Sequence, residues 1–223
     1  MTTWADFQAL VGNYRRFLIS SHMSLDGDSV GSQVAMRWYL MSLGKEVVLY
    51  NKDPVPGKFT FLSGAAAIST TPPAGPFDVV IVLDCSNLNR LGWEVGKAAP
   101  VMVNIDHHRD NTRFADLNVV DDRAAATGAI IYRFFTECSI DYPPEVAEAL
   151  YAAILTDTGG FRFSNTSSSI LRNCSDLAER GADCAGIYER VYSSHPRHAL
   201  LLQARIWSTL RFHLDGRVCS MEM

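Results

Sequence analysis

The chain reads as short, nearly unbroken apolar runs separated by longer stretches in which apolar residues recur every three or four positions. "FLIS" (17–20), "EVVLY" (46–50), "FDVVIVLDC" (77–85) and "VMVNID" (101–106) are rich in β-branched residues and predict buried strands. Between them the spacing is helical. Trp4, Phe7, Val11 and Tyr14 share one helix face, and residues 28–43 form a second amphipathic stretch ended by Gly44. Residues 51–64 are a Pro/Gly-rich connection with one short helical turn. Buried strands alternating with helices predict an α/β domain, a parallel sheet with helices on both faces. From Ala124 the pattern becomes mostly helical, over 124–138, 144–155, 167–180, 184–192 and 196–212, so a mostly helical C-terminal part follows the sheet. The last residues, "LDGRVCSMEM", read as a turn and the start of a strand, and no internal repeat is present.

Composition narrows the class. The 223 residues are 48% hydrophobic, enough to bury a sizeable core. A formal net charge of -4 supplies no bulk attraction for duplex nucleic acid or an anionic membrane. No apolar run approaches the ~20 residues of a membrane span, and the N-terminal segment lacks a signal-peptide core. The cysteines at 85, 138, 174, 184 and 219 are odd in number and form no CxxC pair. That argues against a disulfide scaffold and a thiolate zinc site, and fits a reducing, cytoplasmic compartment. Lysine occurs only at positions 45, 52, 58 and 97, so arginine, whose planar fork suits phosphate, carries most of the positive charge.

The acidic and imidazole side chains collect at strand ends. In open parallel sheets ligands bind beyond the carboxyl ends of the strands, where loops converge and helix N-termini point. His22, Asp26 and Asp28 follow "FLIS"; Asp84 ends "VVIVLD"; Asp106, His107 and His108 end "VMVNIDHH"; Asp157 follows the helix before "TGGFRF". Singly, Asp28 reads as a helix N-cap and Asp84 as an Asx-turn. Together, four segments delivering carboxylates to one sheet edge point to cations, because crowded carboxylates repel unless neutralised. Asp26, Asp28, Asp84 and Asp157 carry four negative charges, matching two divalent ions, and His22 and His107 add nitrogen ligands. Mixed imidazole and carboxylate donors suit Mn²⁺, with Fe²⁺, Co²⁺ or Zn²⁺ as alternatives. Ions roughly 3.5–4 Å apart clamp the attacking and leaving oxygens of a phosphoryl displacement, so phosphate-ester hydrolysis is the expected reaction class. Arg109, Arg113 and Arg162 lie close in sequence and can meet phosphate charge.

The motifs "HMSLDGDSVGS", "VLDCSNLNRLG", "NIDHHRDN" and "LTDTGGFRFSNTS" resemble, in order and spacing, those of the DHH phosphoesterases. The chain is most similar to the RecJ-like group of nanoRNase/pAp phosphatases, over residues 6–214. The resemblance implies a dinuclear, usually Mn²⁺-dependent site. One ion would be held by His22, Asp26 and Asp84, and the other by Asp28, Asp84, His107 and Asp157, with Asp84 bridging. It implies that Asp106 orients His107, that His108 and Arg109 contact the scissile phosphate, and that Asn111, Thr127 and Arg162 serve as substrate or supporting groups. The implied substrates are pAp-type nucleotides or short single-stranded RNA, and a homodimer is compatible with the family.

Leu25 stands where the first motif often has proline, and Ala129 where relatives carry glutamate. Relatives continue into a second, substrate-binding domain with a glycine-rich loop, which has no counterpart here. The expected organisation is therefore a catalytic domain over 1–195, then a linker helix and the start of a truncated second domain over 196–223. An inorganic pyrophosphatase, a cyclic-dinucleotide phosphodiesterase and a non-catalytic metal or nucleotide-binding module stay open as alternatives.

Overall fold

A computed structural model describes residues 4–222. After helix α1 (Trp4–Asn13) come β1 (Arg16–Ser20), α2 (Gly27–Ser42), β2 (Glu46–Tyr50), β3 (Ile68–Ser69), β4 (Val79–Leu83), β5 (Val101–Asp106) and β6 (Leu117–Val120). Helices α3 (Thr127–Glu137), α4 (Pro144–Asp157), α5 (Ser168–Glu179), α6 (Cys184–Tyr188) and α7 (Arg197–Ser208) follow, and β7 (Arg211–His213) pairs with β8 (Val218–Ser220). The first six strands form one parallel sheet in the order β3-β2-β1-β4-β5-β6. The expected parallel sheet and helical C-terminal part are both present.

Alternate residues of the strands face opposite sides. Phe17, Ile19, Val79, Ile81, Val103 and Ile105 point into the larger core under α1 to α4, while Leu18, Val80 and Val82 face a smaller one with Tyr50, Phe77, Leu91 and Val95. The long helices thus crowd one face. The other is covered by two 3₁₀ turns, Leu88–Leu91 and Val95–Lys97, and by loops. Strands β3 and β6 escaped the sequence reading for a common reason: both are sheet edges, β3 is two residues long and β6 is only half-buried throughout, so neither carries a strong apolar run. Helix α4 extends past position 155 to Asp157, which therefore sits in the last helical turn. The C-terminal helix stops at Ser208, and a hairpin replaces its expected last turn. Between residues 192 and 222 no described residue is buried.

Helix α4 is buried almost all round, from Val146 to Leu155, and α2 lies directly against it. Close approach depends on glycine: a Cβ on Gly31 would stand 2.2 Å from the Ala149 carbonyl oxygen, and one on Gly27 2.4 Å from Thr156 Oγ1. Because a backbone atom cannot rotate away, Gly31→Ala must push the helices apart, at a cost of about 1–3 kcal/mol. Its melting temperature should fall by several degrees in calorimetry; a wild-type value would show that the α2–α4 contact is looser than described.

Candidate metal centre

The strand order places a topological switch between β1 and β4, where the chain, having built outward through β2 and β3, crosses over to build the other half. Ser20 pairs with Val82 and Leu83 with Ile105, so β1, β4 and β5 leave the sheet side by side. The residues that follow, His22, Asp84 and Asp106 to His108, therefore share one crevice. Asp84 takes a left-handed backbone, φ 53°, a conformation that aspartate tolerates better than most side chains, and its N–H donates to the Ile105 carbonyl.

Asp84 comes from the middle strand and faces both ways. Its Oδ2 lies 3.3 Å from His22 Nε2, and its Oδ1 lies 3.6 Å from His107 Nε2. On the first side Asp26 Oδ2 is 3.7 Å from His22 Nε2. On the second, His107 Nε2 is 3.2 Å from Asp157 Oδ2 and 3.8 Å from Asp28 Oδ2. The donor atoms of His22, Asp26 and Asp84, and those of Asp28, His107 and Asp157, each fall within 4.8 Å of one another. All six residues singled out as metal-competent are thus brought together.

Each is held by its local structure. Asp26, not Asp28, is the N-cap of α2: its Oδ1 accepts from Ser29 N–H, Ser29 Oγ returns a bond to its backbone, and Oδ2 stays free for the crevice. Asp28 is fully buried and caps a different helix. Its oxygens accept from Thr127 N–H at 2.6 Å and Gly128 N–H at 2.8 Å, buried amides at the start of α3 that have no partner within their own helix, and from Ser32 Oγ. A Cβ on Gly128 would meet Ala153 Cβ at 2.5 Å, which is why α3 can come so near. Asn165 ties down the Asp157 carbonyl, and Gly159 and Gly160 turn left-handed directly after it.

The donor set fits divalent cations on two grounds. His22 Nδ1 contacts the Met23 carbonyl at 2.6 Å and His107 Nδ1 the Ala124 carbonyl at 3.3 Å, so in its neutral form each ring places its proton on Nδ1 and turns Nε2 toward carboxylates. A lone pair facing carboxylate oxygens is repulsive unless positive charge, a cation or in its absence a ring proton, lies between them. Secondly, among the described residues no lysine or arginine pairs with Asp26, Asp28, Asp84 or Asp157. Burial and then repulsion from Asp84, Asp157 and Asp26 push Asp28 well above the usual carboxylate range. Burial, opposed by His107 and helped by Asp84, lifts Asp157 to about 6. Burial alone would lower the His22 imidazole, but the bonds from Asp26 and Asp84 outweigh it and raise it to about 10. The cluster calls for positive charge from outside the chain.

One expectation is corrected. Asp106 does not orient His107; its Oδ1 accepts from His108 Nδ1 at 2.7 Å, and Asn111 Nδ2 donates to its Oδ2 at 2.6 Å. Asp106 points inward at the strand end and is fully buried, so only the ring that folds back over the strand reaches it. His108 Nδ1 is engaged by Asp106 and also lies 3.8 Å from Asp84, and its donor atom falls within 4.8 Å of those of Asp84 and His107, so the bond to Asp106 is what distinguishes it from the other two imidazoles. Asn111 and Thr127 are supporting groups: Asn111 also reaches Asn104, and Thr127 Oγ1 contacts Asp84 at 3.3 Å. Arg109 is exposed, and Arg162 Nε donates to the Gly159 carbonyl of its own turn.

Sequence reasoning missed two groups. Arg90 Nη1 lies 3.3 Å from His108 Nε2. A buried polar chain, in which Asn51 accepts from Ser21 N–H and donates to Gln33, which donates to the Ser29 carbonyl, anchors the loop carrying His22. Neither has a spacing signature; for Arg90, its place in "NLNRLG" after Asp84 was the available hint.

The chain is similar to known proteins over most of its length. The chain is 33% identical over 205 residues to the bifunctional oligoribonuclease and PAP phosphatase NrnA of Thermus thermophilus, covering 89% of this chain and 60% of the relative. It is 29% identical over 220 residues to the probable bifunctional oligoribonuclease and PAP phosphatase NrnA of Streptococcus mutans, covering 97% of this chain and 69% of that one. The crystal structure of an exopolyphosphatase-related protein from Bacteroides fragilis superposes with a TM-score of 0.88 at 24% identity, over 98% of this chain and 68% of that chain, and so shares the fold. The model of the DHH family, N-terminal domain, matches residues 16–154, a stretch that holds His22, Asp26, Asp28, Asp84 and His107 and stops just short of Asp157, and the chain belongs to that family.

Proposed function

We propose that this chain is the catalytic part of a metal-dependent phosphoesterase acting on short oligoribonucleotides or pAp-type nucleotides. One observation carries the reading: a single carboxylate, Asp84, turns its two oxygens to imidazoles on opposite sides, so that two donor clusters share an edge. His22, Asp26 and Asp84 would hold one divalent ion, and Asp28, Asp84, His107 and Asp157 the other; Mn²⁺ suits this mix of donors. Bound there, the ions supply charge neutralisation and Lewis-acid polarisation for phosphoryl transfer. The protein's own contribution is positional. Asn111 fixes Asp106, and Asp106 fixes His108 beside the crevice, next to Arg109. The nucleotide preference rests on the two relatives named for oligoribonuclease and PAP phosphatase activity. Residues 1–195 are read as the catalytic domain, and 196–223, which adds no described buried residue, as the linker and start of a second unit.

The test is a panel of pAp, short RNA, cyclic dinucleotides and pyrophosphate incubated with the Mn²⁺-loaded protein. Turnover of pAp or short RNA is expected; turnover of pyrophosphate alone would overturn the substrate reading. Independently of turnover, saturating Mn²⁺ should raise the melting temperature, because at about 1,000 times its Kd a ligand adds roughly 4 kcal/mol per site. A melting curve indifferent to Mn²⁺ would remove the metal centre itself.

A further inference from the structure

We propose that Arg90 is the phosphate clamp of this site, and that His108 acts as a positioning residue that holds Arg90 in place. The inference rests on the phosphoesterase reading and adds a residue to it.

Arg90 lies in the turn Leu88–Leu91, which is locked onto the loop carrying His22. Its carbonyl accepts the Met23 N–H at 2.7 Å, and Gly92 lies so close that a Cβ would stand 2.3 Å from Met23 Sδ. The side chain is half-buried, and among the described residues no carboxylate comes within ion-pair distance of it; its hydrogen bond goes to His108. A half-buried guanidinium without a counter-ion, beside a site for an anionic substrate, is poised for an anion. Guanidinium has five N–H donors and no acceptor. The Nη1···Nε2 contact is a hydrogen bond in the tautomer that carries the ring proton on Nδ1, where it is donated to Asp106. Arg90 keeps its other N–H groups, in the planar fork that matches two phosphate oxygens. Asn111, Asp106 and His108 then form one chain of hydrogen bonds that ends on the guanidinium.

The test uses the whole Mn²⁺-loaded chain, with inorganic phosphate as the binding probe and pAp or short RNA as substrate. Arg90→Ala should keep its Mn²⁺ content and melting temperature and lose roughly 10- to 100-fold in phosphate affinity and in kcat/KM, as expected for one charged hydrogen-bonding partner. Arg90→Lys should recover part of this, and added guanidinium should rescue Arg90→Ala. His108→Ala combined with Arg90→Ala should be little worse than Arg90→Ala. Unchanged phosphate affinity in Arg90→Ala, parallel loss of Mn²⁺, or fully additive effects in the double variant would overturn the assignment. If the wild type binds Mn²⁺ and phosphate yet hydrolyses no nucleotide, the substrate reading fails while phosphate affinity still decides the role of Arg90. A wild type that binds Mn²⁺ but no phosphate overturns the clamp.

Discussion

Asp84→Ala is expected to remove tight Mn²⁺ binding from both positions at once and to lower turnover by at least about a thousandfold, the rate equivalent of several kcal/mol of Lewis-acid stabilisation. The reason is geometric. Asp84 Oδ2 faces His22 and Oδ1 faces His107, so its loss opens both clusters, whereas Asp26 or Asp157 belongs to one side only. His108→Ala is the contrasting variant: its imidazole is turned to Asp106 and Arg90, so metal content should stay at the wild-type value while turnover falls roughly 10- to 100-fold. Metal analysis after gel filtration and a turnover assay on the same samples decide between them. Because position 84 has φ 53°, alanine adds backbone strain that asparagine largely avoids. Asp84→Asn therefore serves as the second variant, and it should also lose metal, though less completely. Equal metal loss in Asp84→Ala and His108→Ala, or one ion retained in Asp84→Ala, would contradict the shared-carboxylate arrangement.

The second large effect concerns stability. Asp28 accepts the Thr127 and Gly128 amides from inside the core, and each buried N–H left without an acceptor costs about 1–3 kcal/mol. Asp28→Ala abandons both. In the metal-free protein the same substitution also relieves repulsion from Asp84 and Asp157, so the two effects partly cancel. With Mn²⁺ bound that repulsion is already neutralised, and a ligand is lost besides. The substitution should thus lower the melting temperature of the Mn²⁺-loaded protein by on the order of 10 °C, and that of the metal-free protein by clearly less. Paired melts with and without Mn²⁺ read this directly. A drop of the same size in both would mean that Asp28 acts as a helix cap alone; no drop in either would remove its structural role as well.

Much of the architecture was legible in the chain because the signals were local. The run "VVIVL" is buried on both faces as β4, and such a run has few alternatives to an inner parallel strand. The four motifs likewise named the six side chains that converge, since each motif follows a strand or closes a helix and so travels with it. The edge strands β3 and β6, the C-terminal hairpin and the glycine-mediated approach of α2 to α4 carried no comparable pattern. A spacing rule also could not separate two adjacent histidines: His107 and His108 are equivalent as letters, yet one ring meets three carboxylates and the other is taken by Asp106 and Arg90.

The sequence by itself determined which residue types could hold cations and at which strand ends they lie, because hydrophobic period and ligand chemistry are written along the chain. Only the tertiary structure decided who faces whom: that Asp84 turns Oδ2 to His22 and Oδ1 to His107, that Asp28 caps a helix a hundred residues away, and that Arg90 rests on His108. Those partnerships depend on strand order and on helices brought within bonding distance by glycine, and linear spacing does not encode distance across a fold.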